Sequence, residues 1–350
     1  MRLAVDVMGG DNAPDAILKG CVQSLPDMEA DEQLVLIGDE PYIRDWLAEA
    51  GVKDVRLIFA HTTEVIGMDE SPVEATRNKR NSSLVRMAEM AAPDGDVITK
   101  LKADAGVSAG NTGACVAAAT RFMRRLPGLH RPGIVVTIPT FHGPVELCDA
   151  GANPEPRPSH LHQYALMGET VARVLNKKTN PRIGLVNIGS EEGKGTDLIQ
   201  ATHELLKATP SINYIGYVEG RDLFSGICDV VVTDGLVGNT LLKMAEGMAS
   251  NLIKGICQEV IDADPDLMLR LEPIFKNMFE KNDYHEHGGA PLIGVNGICL
   301  IAHGSSEARS IRAALKQCRK FVRSGINNAV VARVAEIEGM MPPVVAAAAS

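Results

Sequence analysis

The chain lacks most of the signatures that would assign it a familiar chemistry at once. Its seven cysteines (Cys21, Cys115, Cys148, Cys228, Cys257, Cys299 and Cys318) form no C-x-x-C pair. An odd number scattered through 350 residues suits reduced thiols in a cytoplasmic protein, not a disulfide framework. No quartet of ligands has zinc spacing, so no metal is expected. The pairs His160-x-His162 and His285-x-His287 bring alternate side chains together only on a strand, and the first lies in a helical pattern. There is no G-x-G-x-x-G for a dinucleotide and no G-x-S-x-G elbow for a hydrolase. No apolar run approaches the ~18 residues of a membrane span, and acid and glycine interrupt the N-terminal segment where a signal peptide would need apolar residues. An excess of basic charge is also missing. The net charge of −9 argues against a nucleic-acid binder.

What is present is an ordinary globular mixture, 45% hydrophobic and 23% charged. Short Val/Ile/Leu-rich runs at 3–7, 34–37, 55–59, 134–138, 183–188, 212–218 and 229–233 alternate with helical patterns such as 82–91, 161–175 and 198–206. Continuous apolar strands separated by helices predict a mainly parallel sheet covered on both faces. No internal repeat or linker divides the chain, so 1–338 reads as one two-lobed α/β domain and 339–350 as a loose tail. One feature departs from the rhythm. Leu241, Ala245, Met248, Leu252, Ile256 and Val260 recur at helical spacing, and a second stripe (Leu267, Leu271, Ile274 or Phe275, Met278) follows Asp264-Pro265. Together they predict a helical hairpin over about 238–282. Its apolar face packs in a core or dimer, or touches a membrane or partner. The six acids and three bases of 262–283 would make attraction to anionic lipid poor.

Five loops rich in glycine with Asp, Asn, Ser or Lys each follow a strand: 6–11 (DVMGGD), 108–113 (SAGNTG), 187–196 (NIGSEEGKGT), 233–239 (TDGLVGN) and 303–306 (HGSS). Ligands of parallel sheets collect at strand carboxyl ends, so the repetition predicts convergence on one anionic ligand. SAGNTG lies between a short strand at 104–107 and a helix at 115–123. Gly110 and Gly113 free backbone N–H groups at a helix N-terminus, and Ser108, Asn111 and Thr112 add side-chain donors. Its bland alternative is a capped helix. NIGSEEGKGT is one residue too short for a P-loop, yet Lys194 offers a point charge to a phosphate or thioester oxygen. Asp234 and His303 are candidate proton carriers, with a loop cap and a core hydrogen bond as their structural alternatives. Arg121, Arg124 and Arg125, at helical spacing, and the group Arg77, Lys79 and Arg80 are candidate basic patches.

Taken together, 5–11 with Ala13-Pro14, 64–68 (EVIGM), 107–114, 149–153 (DAGAN), 187–195, Thr233-Asp234-Gly235 with Gly238-Asn239, and 302–306 (AHGSS) resemble the bacterial PlsX family of phosphate:acyl–acyl-carrier-protein acyltransferases, over about residues 1–330. Asn12, where many members have His, and Cys148, in a usually aliphatic strand, depart from the pattern. The resemblance implies a three-layer α/β/α fold like isocitrate or isopropylmalate dehydrogenase and phosphotransacetylase, a homodimer, and no metal or organic cofactor. It implies transfer of a fatty acyl group from acyl-ACP to inorganic phosphate, with the acyl phosphate passed to a membrane glycerol-3-phosphate acyltransferase for phospholipid synthesis. The enzyme would then be cytoplasmic, with peripheral membrane contact through the hairpin. On that reading Ser108, Gly110, Asn111, Thr112 and Gly113 bind phosphate, Lys194 neutralises charge, Asp234 or His303 manages the thiol proton, and Arg121, Arg124 and Arg125 steer the acidic carrier. The alternatives are a CoA-dependent phosphate acyltransferase on the same scaffold and a non-catalytic regulator binding acyl chains or ACP at a membrane.

Overall fold

In a computed structural model, which describes residues 1–95, 100–282 and 288–340, the strands are β1 (Arg2–Asp6), β2 (Gln33–Gly38), β3 (Leu57–His61), β4 (Ala105–Ser108), β5 (Gly133–Ile138), β6 (Val145–Cys148), β7 (Arg182–Val186), β8 (Asn213–Val218), β9 (Val230–Val232), β10 (Ala290–Ile293) and β11 (Cys299–Ile301). The helices are α1 (Asp15–Ser24), α2 (Glu40–Glu49), α3 (Pro72–Asn78), α4 (Ser83–Met90), α5 (Thr112–Phe122), α6 (Pro158–Leu175), α7 (Asp197–Ala208), α8 (Gly235–Ala263), α9 (Pro265–Asn282), α10 (Ala308–Ser324) and α11 (Ile326–Met340). The predicted tail lies almost wholly outside the described residues, while 339 and 340 close α11.

One mixed sheet runs β3-β2-β1-β4-β11-β10-β5-β6-β9-β7-β8. Its inner strands are buried on both faces, which is why they read as unbroken apolar runs. Along β2, Leu34 and Leu36 join one core while Val35 and Ile37 join the other. The first core is covered by α1, α2, α6, α7, α10 and α11, the second by α3, α4 and α5 with the inner face of α8. This is the three-layer α/β/α sandwich. Close approach is enforced by small residues: a Cβ on Gly106 would sit 2.1 Å from the Met87 sulfur. At the far end of the fold a bidentate pair, Arg333 Nε and Nη2 to Glu169 at 2.9 and 3.1 Å, ties α11 to α6.

The sheet is mainly parallel, as expected, and is antiparallel only near its centre. The strands β3, β2, β1, β4 and β11 are mutually parallel, as are β6, β9, β7 and β8. Antiparallel pairings of β10 with β11 and β5, and of β5 with β6, separate the two blocks. The second block therefore runs opposite to the first, and the glycine-rich loops do not leave the sheet at a common edge. Short strands such as β10 and β11, three or four residues each, carry too little periodicity to be legible beforehand.

The hairpin is present as α8 and α9, but its stripe is not core. Ala245 is buried, whereas Met248, Leu252 and Ile256 face outward, 64%, 62% and 42% exposed.

In β6, Glu146 is buried and accepts hydrogen bonds from the Thr137 hydroxyl and the Asn176 amide. Burial pushes its carboxyl up to about 7, against the pull of those donors and of Lys320. A carboxyl raised in the folded state contributes stability below its ordinary 4.5, and that contribution is lost as pH rises through about 7. Glu146→Gln should therefore gain about 3 kcal/mol on the parent between pH 5 and 8. Urea melts at the two pH values check this, and a difference independent of pH would refute it.

Candidate active site

Three of the glycine-rich loops interlock around one buried carboxylate. Asp6, at the end of β1, accepts from the Ser108 hydroxyl at 2.6 Å and from the Met8 N–H at 3.3 Å. Ser108 Oγ in turn accepts from Gly110 N at 3.0 Å. Burial raises the Asp6 carboxyl; hydrogen bonds from Ser108, Ser83, Met8 and Gly9 draw it back. Gly10, at φ +111°, lies close to the carbonyls of Ala109 and Gly304, where a side chain would be both strained and crowded. The third loop is held by Asp11 N donating to Gly304 O at 2.8 Å and by Ala302 N donating to Ser108 O at 2.8 Å. Asn12, the departure in the first motif, donates its amide to the carbonyls of Ser305 and Ser306.

This locking changes what SAGNTG can offer. Ser108 is 1% exposed and committed to Asp6. Asn111 caps α5 by accepting from Ala114 N at 3.0 Å, and its amide donates to the carbonyls of Met68 (2.9 Å) and Glu70 (3.2 Å). Two of the three side chains expected to bind phosphate, Ser108 and Asn111, are thus occupied with protein partners. What remains is Thr112, which is exposed and opens α5, together with the first-turn N–H groups of Thr112 and Gly113, which have no partner within the helix. The helix does start at the loop, three residues earlier than expected.

A second carboxylate organises the opposite wall. Asp149 accepts from the N–H groups of Ile134, Gly151, Ala152 and Asn153 at 2.7 to 3.2 Å. Burial raises its carboxyl against the pull of these donors. The loop it folds abuts the start of α8. Gly235 N donates to Asn153 O at 2.8 Å, and a Cβ on Gly238 would meet Asp149 O at 1.9 Å. Two glycines of TDGLVGN are therefore required by close approach. Asp234 caps α8, accepting from Val237 N at 2.9 Å.

Between these walls lies a cavity of about 800 Å³, within the ~300–1,000 Å³ of small-molecule sites. Asp11, Thr112 and the 303–306 loop line it from one side; Gly151 and Asn239 line it from the other. Ile134, Val136, Ala290 and Ile301 form an apolar floor. Above it α8 supplies Leu242, Lys243, Glu246, Ala249 and Ile253, the three-to-four spacing of one helix face. Among the described residues Lys243 is the one lysine or arginine in this lining, and it pairs with Glu246 at 2.8 Å. His303 lines the cavity with Nδ1 at 2.7 Å from Ser305 Oγ and 3.2 Å from Ser305 N. A backbone N–H can only donate, so Nδ1 accepts and the neutral ring carries its proton on Nε2.

Lys194 is not in this lining. It pairs with Glu191 at 2.6 Å and is 46% exposed. The 187–196 loop follows β7, in the block that runs opposite to β4. Arg124 and Arg125 do not continue the helix of Arg121, because α5 ends at Phe122 and Arg124 has φ +62°; the shared helix face expected for the three does not form. In α6, His160 accepts from Arg157 N and His162 pairs with Thr209, so the two histidines serve separate partners. The second histidine pair lies outside the described residues. Sequence reasoning passed over Asp6, Asp149 and Lys243. The first two had a legible signal, a carboxylate at a strand end with a glycine two or three residues later. Lys243 had a weaker one, its place four residues after Asn239 on a helix.

Comparison with known proteins agrees with this architecture. The model of the fatty acid synthesis protein family matches residues 1–329. A phosphate acyltransferase of Clostridium perfringens is 41% identical over 92% of this chain and 93% of its own, and one of Desulfitobacterium hafniense is 43% identical over 93% and 95%. Among solved structures, a branched-chain phosphotransacylase from Enterococcus faecalis superposes with TM-score 0.56 at 12% identity, over 92% of this chain and 99% of its own. A phosphotransacetylase from Streptococcus pyogenes superposes with TM-score 0.55 at 16% identity, over 96% and 94%. The likeness at that identity is one of fold, whereas the match of sequence over nearly the whole chain is one of family: this protein belongs to the PlsX family of phosphate acyltransferases.

Proposed function

We propose that the cleft transfers a fatty acyl group from acyl-ACP to inorganic phosphate, releasing acyl phosphate for phospholipid synthesis and the carrier's free thiol. The observation that carries this reading is the continuity of a helix N-terminus with an apolar-floored cavity far larger than phosphate needs. An anion suits the N–H groups of Thr112 and Gly113, and an acyl chain suits the floor and the Leu242, Ala249 and Ile253 side of α8.

A phosphate oxygen attacks the thioester carbon, the tetrahedral oxyanion collapses, and the C–S bond breaks to leave a thiolate. No activated serine or cysteine is required, since phosphate is the nucleophile. The rate then rests on orientation and charge. The departing thiol has an ordinary pKa of about 8.5, so it leaves as the thiolate, and a hydrogen bond donated by His303 Nε2–H eases the developing charge without a full proton transfer. Asp234, spent as a cap through Oδ1, is the weaker candidate for managing the thiol proton. Ser108, Gly110 and Asn111 hold the loop that presents the amides. Lys194 is assigned to charge neutralisation on phosphate or oxyanion, reached by a swing of its loop about Gly193 and Gly195, both at positive φ. Lys243 already lines the cleft and is its alternative.

The exposed outer face of α8 is assigned to a second copy of the chain. The hairpin tip is assigned to peripheral contact with the cytoplasmic membrane face, where a glycerol-3-phosphate acyltransferase would take the product. Among the described residues no helix is long and apolar enough to cross a membrane.

Incubation with palmitoyl-ACP and phosphate should yield acyl phosphate and free carrier thiol in equal amounts. Binding of the donor with no product would favour the regulator, and a preference for palmitoyl-CoA would favour the CoA-dependent enzyme. Lys194→Ala should lower kcat about 10²-fold, the usual scale for losing an oxyanion partner. Full activity would remove Lys194 and pass the role to Lys243, to be checked with Lys243→Ala. Ala249→Trp should depress kcat/KM for palmitoyl far more than for butyryl donors, since each buried methylene contributes ~0.8 kcal/mol. Equal losses for both would place the chain elsewhere.

A further inference from the structure

A strongly acidic carrier must approach a chain whose own net charge is −9, which requires a local positive surface. The inference below rests on the proposed donor and locates where it docks. The cations expected near the site fall into two classes. Lys79 is paired with Glu70 and Arg80 with Glu89, so that group is largely neutralised. Arg124, Arg125, Arg131 and Arg157 are all exposed, and none forms an ion pair with a carboxylate among the described residues. Arg125 instead donates to His130 O at 2.6 Å, and Arg131 to Asn153 Oδ1 at 3.3 Å.

Arg125, Arg131 and Arg157 gather around two histidines, His130 and His160, and Arg124 adjoins them next to Arg125 in the chain. The rings of His130 and His160 are 6.2 Å apart. His160 is held below its ordinary value first by burial, then by the charges of Arg131, His130 and Arg157. The local structure does not explain the cluster. Arg157 occupies the N-cap of α6, makes no side-chain cap, and is followed by a first turn without an acid. A cation there opposes the positive end of the helix, where Ser, Thr, Asp or Asn would stabilise it. The cluster borders the cleft directly: Asn153, which Arg131 contacts, is held by Asp149 and bonds Gly235 at the start of α8, and Gly151 of the same loop lines the cavity beside Asn239.

We propose that Arg124, Arg125, Arg131 and Arg157 form the docking surface for the acidic carrier protein, whose thioester arm enters the cleft past the 149–153 loop. Arg121, on α5 with its guanidinium 5.4 Å from the Phe122 ring centre, is not part of it.

The test is the double variant Arg124→Glu, Arg157→Glu, neither residue touching the cavity. KM for palmitoyl-ACP should rise at least tenfold with kcat within twofold. The increase of the parent's KM with salt should flatten in the variant, because the attraction is screened. kcat/KM for palmitoyl-pantetheine, which lacks the carrier protein, should be unchanged; this also reports an intact fold. An unchanged KM for palmitoyl-ACP, or an equal loss with palmitoyl-pantetheine, would overturn the proposal. If the parent makes acyl phosphate from no donor, it is the reading of function that fails. Calorimetric binding of holo-ACP to parent and variant then decides the surface alone: loss of binding in the variant upholds it, and equal binding or none to the parent overturns it.

Discussion

The hydroxyl of Ser108 donates to a carboxylate, Asp6, that has almost no exposed surface, and the geometry of the cleft follows from that bond. Neither β1 nor β4 by itself dictates where its following loop goes. The shared carboxylate fixes one loop against the other, the interlock of Gly10 with Ala109 and Gly304 adds the loop after β11, and Asn12 fastens its far side. The cost is a buried, desolvated acid. Hydrogen bonds from both loops offset it, so Asp6 is stable only when the loops are assembled.

This arrangement explains why two residue types that look like ligands are not free to act as such. Ser108 and Asn111 spend their hydrogen-bonding capacity on the protein. The ligand is left the helix-end amides and the exposed Thr112. Backbone amides held by a rigid frame need no reorganisation when charge develops nearby, which suits an acceptor of phosphate better than mobile side chains would. The second wall follows the same logic, with Asp149 gathering four amides and two glycines allowing α8 to sit close. Two walls held by buried carboxylates and an apolar floor together form the cleft.

The surface is organised by what is left unmatched. In a chain with 44 acids and 35 lysines and arginines, Arg124, Arg125, Arg131 and Arg157 make no ion pair with a carboxylate among the described residues, and they are one unmatched patch. The outward apolar face of α8 is another.

Residues alone determined the layered α/β class, the hairpin, the glycine-rich loops and the family, because strands buried on both faces and tight loops each leave a local pattern. They also placed SAGNTG correctly at a helix start. Only the tertiary structure decided which loops meet. Strand direction is not encoded in a strand's own composition, so the reversal of β6, β9, β7 and β8 could not be foreseen, nor that within this block the segments after β6 and β9 would reach the cavity while Lys194, after β7, would not. Nor can a sequence say whether a polar side chain faces a ligand or a neighbouring loop. Ser108 and Asn111 face loops; Lys243 faces the cavity through its register on a helix. Pairing across space, over separations such as the 102 residues between Asp6 and Ser108, is where the fold adds what the order of residues does not contain.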